Sequence, residues 1–467
     1  MGYLNCVPFS FHPPTRTHCE QCEKLARSRA GLEPLISQHR GKASSADSFP
    51  VHNWFNFVLG YSPEFPVRMF EKFSLDHGSL VLDPFTGSGT TQVAAKNLGI
   101  QSIGVEANDY FHFAATSKLN WSLSTKSIEA AMAKIRVRYL RRRNQFHWDP
   151  PFEDAKFSRS GANARKLIDY VTANRPQMMD TRYISDRSLG QFLLLQQSID
   201  AEISLSKPLR RLLDFALTAV LVPCSNVRYG PGFGVTKRVR VVDVLAAFED
   251  KVSRILADLE RSDVRENRRT KATVHLGDSR NLSKFVAPHS VDAMVTSPPY
   301  PGDHEYTKHS RIELIWCKMA QDKTEFRRIK QRMLRGSTTN VYRGDRLGDH
   351  VRDLISIRDV TAEIDARLRS DGASSGFEKL YTKLVWEYFG GMYLVFVEAK
   401  KVLKHGAPFS LLVSDSHAFK MTHIATADIL AEVALLAGFN SFEQELWQLK
   451  STTSHGYSLF ENILTVR

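Results

Sequence analysis

Short apolar runs bounded by turn residues recur toward both ends of the chain, while its middle carries apolar residues at helical spacing. The first run, Ser79–Pro84 (SLVLDP), predicts a buried strand that leads into the glycine turn Gly87–Thr91 and the helix-like QVAAKNLG. Gln101–Glu106 predicts a second strand. Strand, glycine turn, helix and strand make a βαβ unit, the building block of parallel sheets. From about 125 to 270 the alternation stops, and stretches such as SIEAAMAKIRVRYLRRR and LRRLLDFALTAVLV have helical periodicity. The strand pattern returns with Ala272–Leu276 and Val291–Ser297, and a polar stretch over 308–378 breaks it again. A helix over 380–404, a strand over Pro408–Ser414, a helix over 424–437 and two runs near 440–447 and 459–466 follow. Seven strands in this order predict one open α/β sheet, with a mostly helical insertion and a second, smaller one.

The expected divisions are 1–50, 51–124, 125–270, 271–307, 308–378 and 379–467. The first is polar and rich in His, Pro, Ser and Arg, and predicts a loosely ordered lead-in. The chain has 467 residues, 42% hydrophobic and 24% charged, which suits a globular protein and excludes a collagen-like or disordered one. Lys and Arg outnumber Asp and Glu by 63 to 50, a net charge of +13 that fits a polyanionic partner. Five cysteines, an odd number, are too few to staple such a chain and point to a reducing, intracellular compartment. The single CxxC, Cys19 and Cys22, has only irregular neighbours in Cys6, His12 and His18, so no metal is expected. The opening residues lack a basic-then-apolar signal pattern, and no apolar run is long enough to span a membrane.

Asp83–Thr91 (DPFTGSGTT) occupies a strand-to-helix turn. Glycine there lets backbone approach a ligand without a Cβ clash, and the helix start offers unpaired N–H groups. No lysine follows Gly89, which argues against a phosphate loop. Gln92 stands where a dinucleotide fold wants its third glycine. What remains is an approach loop for a nucleoside ligand. Glu106, about 20 residues on, closes the second strand where an acid can bind both ribose hydroxyls.

These residues resemble the S-adenosylmethionine-dependent amino methyltransferases of DNA. DPFTGSGTT is similar to their motif I, with Asp83, Phe85, Gly87, Gly89 and Thr90 as implied cofactor contacts. Glu106 resembles the motif II acid, and Asp278 in GDSRNL the acid that holds the adenine. Tyr61–Phe65 (YSPEF) resembles motif X: Ser62 suits a helix N-cap, Pro63 the first helical position and Glu64 the first turn. Thr296–Tyr300 (TSPPY) resembles motif IV, written [DNS]PP[YFW] in the family, and implies Ser297, Pro298, Pro299 and Tyr300 as the catalytic set. The resemblance implies a class I methyltransferase Rossmann-like sheet and S-adenosylmethionine as methyl donor. It also implies a bacterial-type cytoplasmic, nucleoid-associated location and a cognate restriction endonuclease as partner.

The residue types suit the chemistry. An exocyclic amine on a base is a poor nucleophile because its lone pair is delocalised into the ring. Two acceptors aimed at its N–H bonds, the Ser297 hydroxyl oxygen and the Pro298 carbonyl, favour the pyramidal nitrogen. The prolines lack N–H groups and have fixed φ, which stiffens the loop. The Tyr300 ring offers a stacking face for a base that has left the duplex. In the family, SPPY is typical of cytosine-N4 enzymes and DPPY or NPPY of adenine-N6 enzymes. The expectation is therefore N4 methylation of cytosine in double-stranded DNA; adenine N6, an RNA base, or a silent binding module of the same fold are the alternatives.

Too little chain follows the seventh strand for a C-terminal recognition domain, so recognition is expected in 125–270, in 308–378, or in both. Arg141, Arg142 and Arg143 close one basic cluster, near Phe146, His147 and Trp148. Arg327, Arg328, Lys330, Arg332 and Arg335 form another. The loop Ser225–Gly234, with Arg228 and Tyr229 and followed by Lys237, Arg238 and Arg240, predicts a DNA-approaching segment. His304 and Tyr306 are expected to border the base pocket, and Arg311 and Glu313 to make structural pairs.

Overall fold

A computed structural model describes residues 49–146, 162–230, 232–237, 242–302, 305–372, 376–451 and 458–467. All seven expected strands are present, as β1 (Leu80–Asp83), β2 (Gln101–Glu106), β5 (Ala272–Leu276), β6 (Ala293–Thr296), β7 (Phe409–Ser414), β10 (Phe442–Ser451) and β11 (Ser458–Val466). They form one sheet in the order β10-β11-β7-β6-β1-β2-β5. Only β11 runs against its neighbours. This is the sheet of the class I methyltransferase fold.

The central strands show why the sequence makes such a sheet. Val81, Val295, Leu412 and Ile463 belong to one buried cluster, with Phe65, Met69 and Phe70 of helix α1 (Glu64–Lys72) and Ala94 and Ala95 of α2 (Thr90–Asn97). Their chain neighbours Leu82, Met294, Leu411 and Leu464 belong to another, under helices over Ile355–Ser370, Tyr381–Val402 and Thr426–Leu436. Successive side chains leave opposite faces of a strand, so near-continuous apolar runs are what a sheet covered on both faces requires.

The segment expected to be helical is so. It holds α4 (Thr125–Asn144), α5 (Ala162–Asn174), α6 (Asp186–Asp200), α7 (Lys207–Ala219), α8 (Val244–Glu260) and α9 (Ser262–Glu266), which follow α3 (Asp109–Lys118). Its core is continuous with Trp54 and Phe55, with Tyr110 and Phe111 of α3, and with Ile312–Ile329 downstream. The glycine-rich loop expected near 225–234 is an antiparallel hairpin of β3 (Val227–Gly230) and β4 (Gly232–Val235). The second polar stretch contains α10 (Arg311–Trp316), α11 (Lys323–Arg332) and α12 (Ile355–Ser370). A small hairpin, β8 (Ser416–Ala418) and β9 (Thr422–Ile424), follows β7.

Candidate active site

The carboxyl ends of β1 and β6 lie side by side where the strand order reverses, because the chain runs outward through β2 to β5 and then crosses to β6. Ligands of open α/β sheets bind at such switch points. The Thr296 hydroxyl, next to Ser297, donates to Asp83 Oδ1 at 2.6 Å across 213 residues of sequence. The Thr91 hydroxyl donates to the Val295 carbonyl at 3.3 Å. Tyr61 donates its phenol to Asp83 Oδ2 at 3.0 Å and also meets the Thr91 hydroxyl. The motif X, motif I and motif IV segments thus converge on one fully buried carboxylate. Burial raises the Asp83 carboxyl above its usual range, against the hydrogen bonds from Thr296, the Phe85 N–H, Thr91 and Tyr61.

Gly87 and Gly89 both have positive φ, +52° and +88°, and a Cβ at either would press on a neighbour: the Phe57 ring at 3.1 Å or Ala115 Cβ at 3.2 Å. Only glycine makes this turn without strain. Gly89 caps α2, and Thr90, its first residue, is buried. Glu106 accepts from the Gly87 N–H and the Asn108 N–H, both at 2.7 Å, one on each oxygen. Each carboxylate oxygen therefore keeps acceptor capacity for a ribose hydroxyl. Burial pushes the Glu106 carboxyl up to about 7, against those two N–H donors.

Gly277 donates its N–H to the Glu106 carbonyl at 2.8 Å, which sets Asp278 beside the end of β2. The Asp278 carboxylate accepts from the Arg280 N–H at 2.9 Å and from its guanidinium at 2.9 and 2.6 Å. The Ser62 hydroxyl accepts from the Glu64 N–H at 3.3 Å; the helix starts at Glu64 and Pro63 takes the cap position, one residue later than expected. A glycine turn, an acid with spare lone pairs and a neighbouring acid fit a nucleoside cofactor.

Ser297 is half-buried and donates its hydroxyl to the Leu412 carbonyl at 2.9 Å. The Tyr300 hydroxyl lies 3.3 Å from Ser297 Oγ and donates to the same carbonyl at 3.4 Å. Donation to β7 occupies the serine proton and leaves an Oγ lone pair to accept a hydrogen bond. Pro298 is buried and Pro299 half-buried, as a stiff loop wants.

A family model described as DNA methylase matches residues 38–117, which include α1, the glycine turn and Glu106. The chain is 24% identical to the Type II methyltransferase M.BsoBI of Geobacillus stearothermophilus over 395 residues, 80% of this chain and 74% of that protein. It is 23% identical to the Type II methyltransferase M.AvaI of Anabaena variabilis over 444 residues, 90% and 85% of the two chains. It is 35% identical to M.MthZI of Methanothermobacter thermautotrophicus over 89 residues, 19% and 24% of the two. No solved structure matches. These likenesses support the DNA amino methyltransferase family.

The methyltransferase's expected recognition residues are more scattered. Arg228 is exposed on the β3–β4 hairpin, and Lys237 is exposed just after it. Tyr229 faces inward: its phenol donates to Glu313 Oε2 at 2.7 Å, and its ring lies 5.7 Å from that of His309. Burial pushes the Glu313 carboxyl up to about 8, against that hydrogen bond. Glu313 thus has a structural partner, though it is Tyr229. Arg141 is exposed at the end of α4, whereas Arg142 and Arg143 are half-buried. Earlier on the same helix, Arg136 pairs with Glu249 and Arg138 with Glu202. In the other cluster Lys330 pairs with Glu305, Arg332 with Asp109 and Arg335 with Asp345. Arg238, Arg240, His304, His147, Trp148 and the N-terminal cysteines lie outside the described residues.

Three contributors had no expected role: Thr296, at the edge of motif IV, and Leu412 and Asn108, outside any motif. Thr296 acts through a hydroxyl at the end of β6 and Leu412 through a carbonyl within β7. Asn108 caps α3 and bonds the Ser310 hydroxyl at 2.9 Å; an Asn two residues after a strand-ending acid is a readable N-cap. No helix of the described residues is long and apolar enough to cross a membrane. No group of three or more His, Cys, Asp or Glu among the described residues could hold a metal.

Proposed function

We propose that this methyltransferase transfers a methyl group from S-adenosylmethionine to the N4 amine of cytosine in double-stranded DNA. The observation that supports the proposal is the Thr296–Asp83 hydrogen bond, because it ties the residue before the SPPY loop to the acid that opens the glycine turn. Glu106 would hold the ribose hydroxyls, Asp278 the adenine, and the start of α1, beside Ser62, the amino-acid end. When bound, S-adenosylmethionine supplies an electrophilic methyl on a sulfonium.

The protein's own residues orient the acceptor. Ser297 Oγ and the Pro298 carbonyl accept the two amine N–H bonds and turn the nitrogen lone pair toward the cofactor site. Tyr300 flanks the base, which must leave the stack to reach a loop this close to the sheet. No strong base is required, since nitrogen loses its proton after the methyl arrives. Serine at 297, rather than Asp or Asn, supports cytosine over adenine. Arg228, Lys237, Arg238 and Arg141–Arg143 are proposed DNA contacts from the helical segment. The Type II relatives support a place in restriction–modification beside a cognate endonuclease.

Expression in a host without amino-methylated bases, followed by single-molecule sequencing, tests base, atom and site together. N4-methylcytosine at one short sequence is expected; N6-methyladenine would move the assignment to adenine. Ser297→Ala is expected to keep cofactor binding and lose roughly a hundredfold or more of the transfer rate. Normal turnover in that variant would overturn the assigned acceptor.

A further inference from the structure

The cations of the second polar stretch differ in their partners. Arg332 and Arg335 are spent on Asp109 and Asp345. Four others, Arg311, Lys323, Arg327 and Lys330, line a cavity of about 470 Å³ together with Phe326 and Tyr342. Among the described residues, the only carboxylate paired with these four cations is Glu305, on Lys330 at 2.9 Å. Aromatic rings rather than acids hold the arginines. Arg311 lies over Phe326 at 5.2 Å and over Phe233 of the β3–β4 hairpin at 5.7 Å. Arg327 lies over Tyr342 at 5.0 Å. A guanidinium held by π faces keeps its N–H edge available for an anion. The Tyr342 hydroxyl is buried and has no hydrogen-bond partner among the described residues. A cavity with surplus positive charge and an orphan hydroxyl suits an anionic ligand.

The position narrows the ligand. Gly302, two residues past Tyr300, donates its N–H to the Gly336 carbonyl at 3.1 Å. Arg332 at the end of α11 donates to the Ala107 carbonyl at 3.2 Å, next to Glu106. The helix that supplies three of the four cations is thus braced against the end of the cofactor strand, and the turn that follows it against the catalytic loop. We propose that this cavity takes a backbone phosphodiester, with its sugar, of the nucleic-acid strand being methylated, close to the extruded nucleotide. The inference rests on the nucleic-acid reading above and adds a phosphate-reading site to it.

The test uses the full chain with Lys323→Gln and Arg327→Gln, singly and together, against Lys207→Gln, an exposed charge removed at the start of α7. Fluorescence anisotropy with a duplex oligonucleotide is followed across a salt series, in parallel with a cofactor titration. The double variant is expected to bind duplex about tenfold more weakly at moderate salt, with its log K against log salt slope shallower by about 0.9 per phosphate lost. Tyr342→Phe should weaken binding a few-fold, and Arg327→Lys should restore part of the loss. Cofactor affinity should not move.

Wild-type duplex binding with variants no weaker than Lys207→Gln would overturn the cavity while sparing the function. Binding of structured RNA instead of duplex, weakened by the same variants, would uphold the cavity and overturn DNA as the substrate. Competition by inorganic phosphate or a mononucleotide at concentrations comparable with those of the oligonucleotide would make this a small-anion site and overturn the proposal. Failure to bind any nucleic acid would overturn both.

Discussion

Glu106 and Glu313 are two buried glutamates with similarly displaced carboxyls, and they do different work. Glu106 ends a strand, and it accepts from backbone N–H groups, Gly87 and Asn108 foremost, at the rim of a glycine turn. Glu313 sits on α10 among Tyr229, Tyr110 and Cys317, and takes the Tyr229 phenol. Burial dominates both shifts. The surroundings decide the role: an acid with spare lone pairs beside a turn binds, and an acid enclosed by rings braces.

The largest test of that contrast is Glu106→Gln against Glu313→Gln. Loss of a charged acceptor for two ribose hydroxyls is worth about 3 kcal/mol, so Glu106→Gln should weaken cofactor binding roughly a hundredfold by calorimetry. Glu313→Gln should leave that affinity unchanged. If both fall equally, the contrast fails.

The pH dependences should run in opposite directions. The ionised Glu106 is the better acceptor, so cofactor affinity should fall as pH drops through about 7. Glu313 has a folded-state carboxyl raised to about 8, so the folded state holds its proton more tightly than the unfolded one. Its contribution is most favourable below the ordinary glutamate range and is lost as pH rises toward 8. Urea unfolding should therefore show stability declining over that interval, by an amount on the order of a few kcal/mol, and Glu313→Gln should flatten the decline.

Tyr229→Phe removes the donor and should cost about 1–3 kcal/mol of stability without touching cofactor binding. Asp278 is the intermediate case, an acid already held by Arg280. Asp278→Asn should weaken cofactor binding by less than about tenfold, since a half-satisfied carboxylate has less to lose. An effect as large as that of Glu106→Gln would place the main cofactor acid at 278.

The sheet was legible because both faces of its strands are covered, which writes unbroken apolar runs such as LVLD and AMVT between turn residues. The site was legible where chemistry demands a side chain or a glycine: Gly87, Gly89, Glu106 and Ser297. It was not legible where a carbonyl or a distant partner acts. Nothing in Leu412 advertises its backbone acceptor. Nothing near Arg332 announces Asp109, 223 residues away, so a row of five cations looked uniformly available when three of them were engaged. The inward turn of Tyr229 was hidden for the same reason, since Glu313 is 84 residues downstream.

The continuous apolar cluster from Trp54 through the helical layer to Ile329 has a practical corollary for building chimaeras. Cutting at the insertion boundaries would split it, stranding Tyr110 and Phe111 of α3 against foreign side chains. A graft meant to transplant sequence preference into another scaffold must carry that helix and its packing partners along, or the hybrid will expose the very rings that hold the donor together.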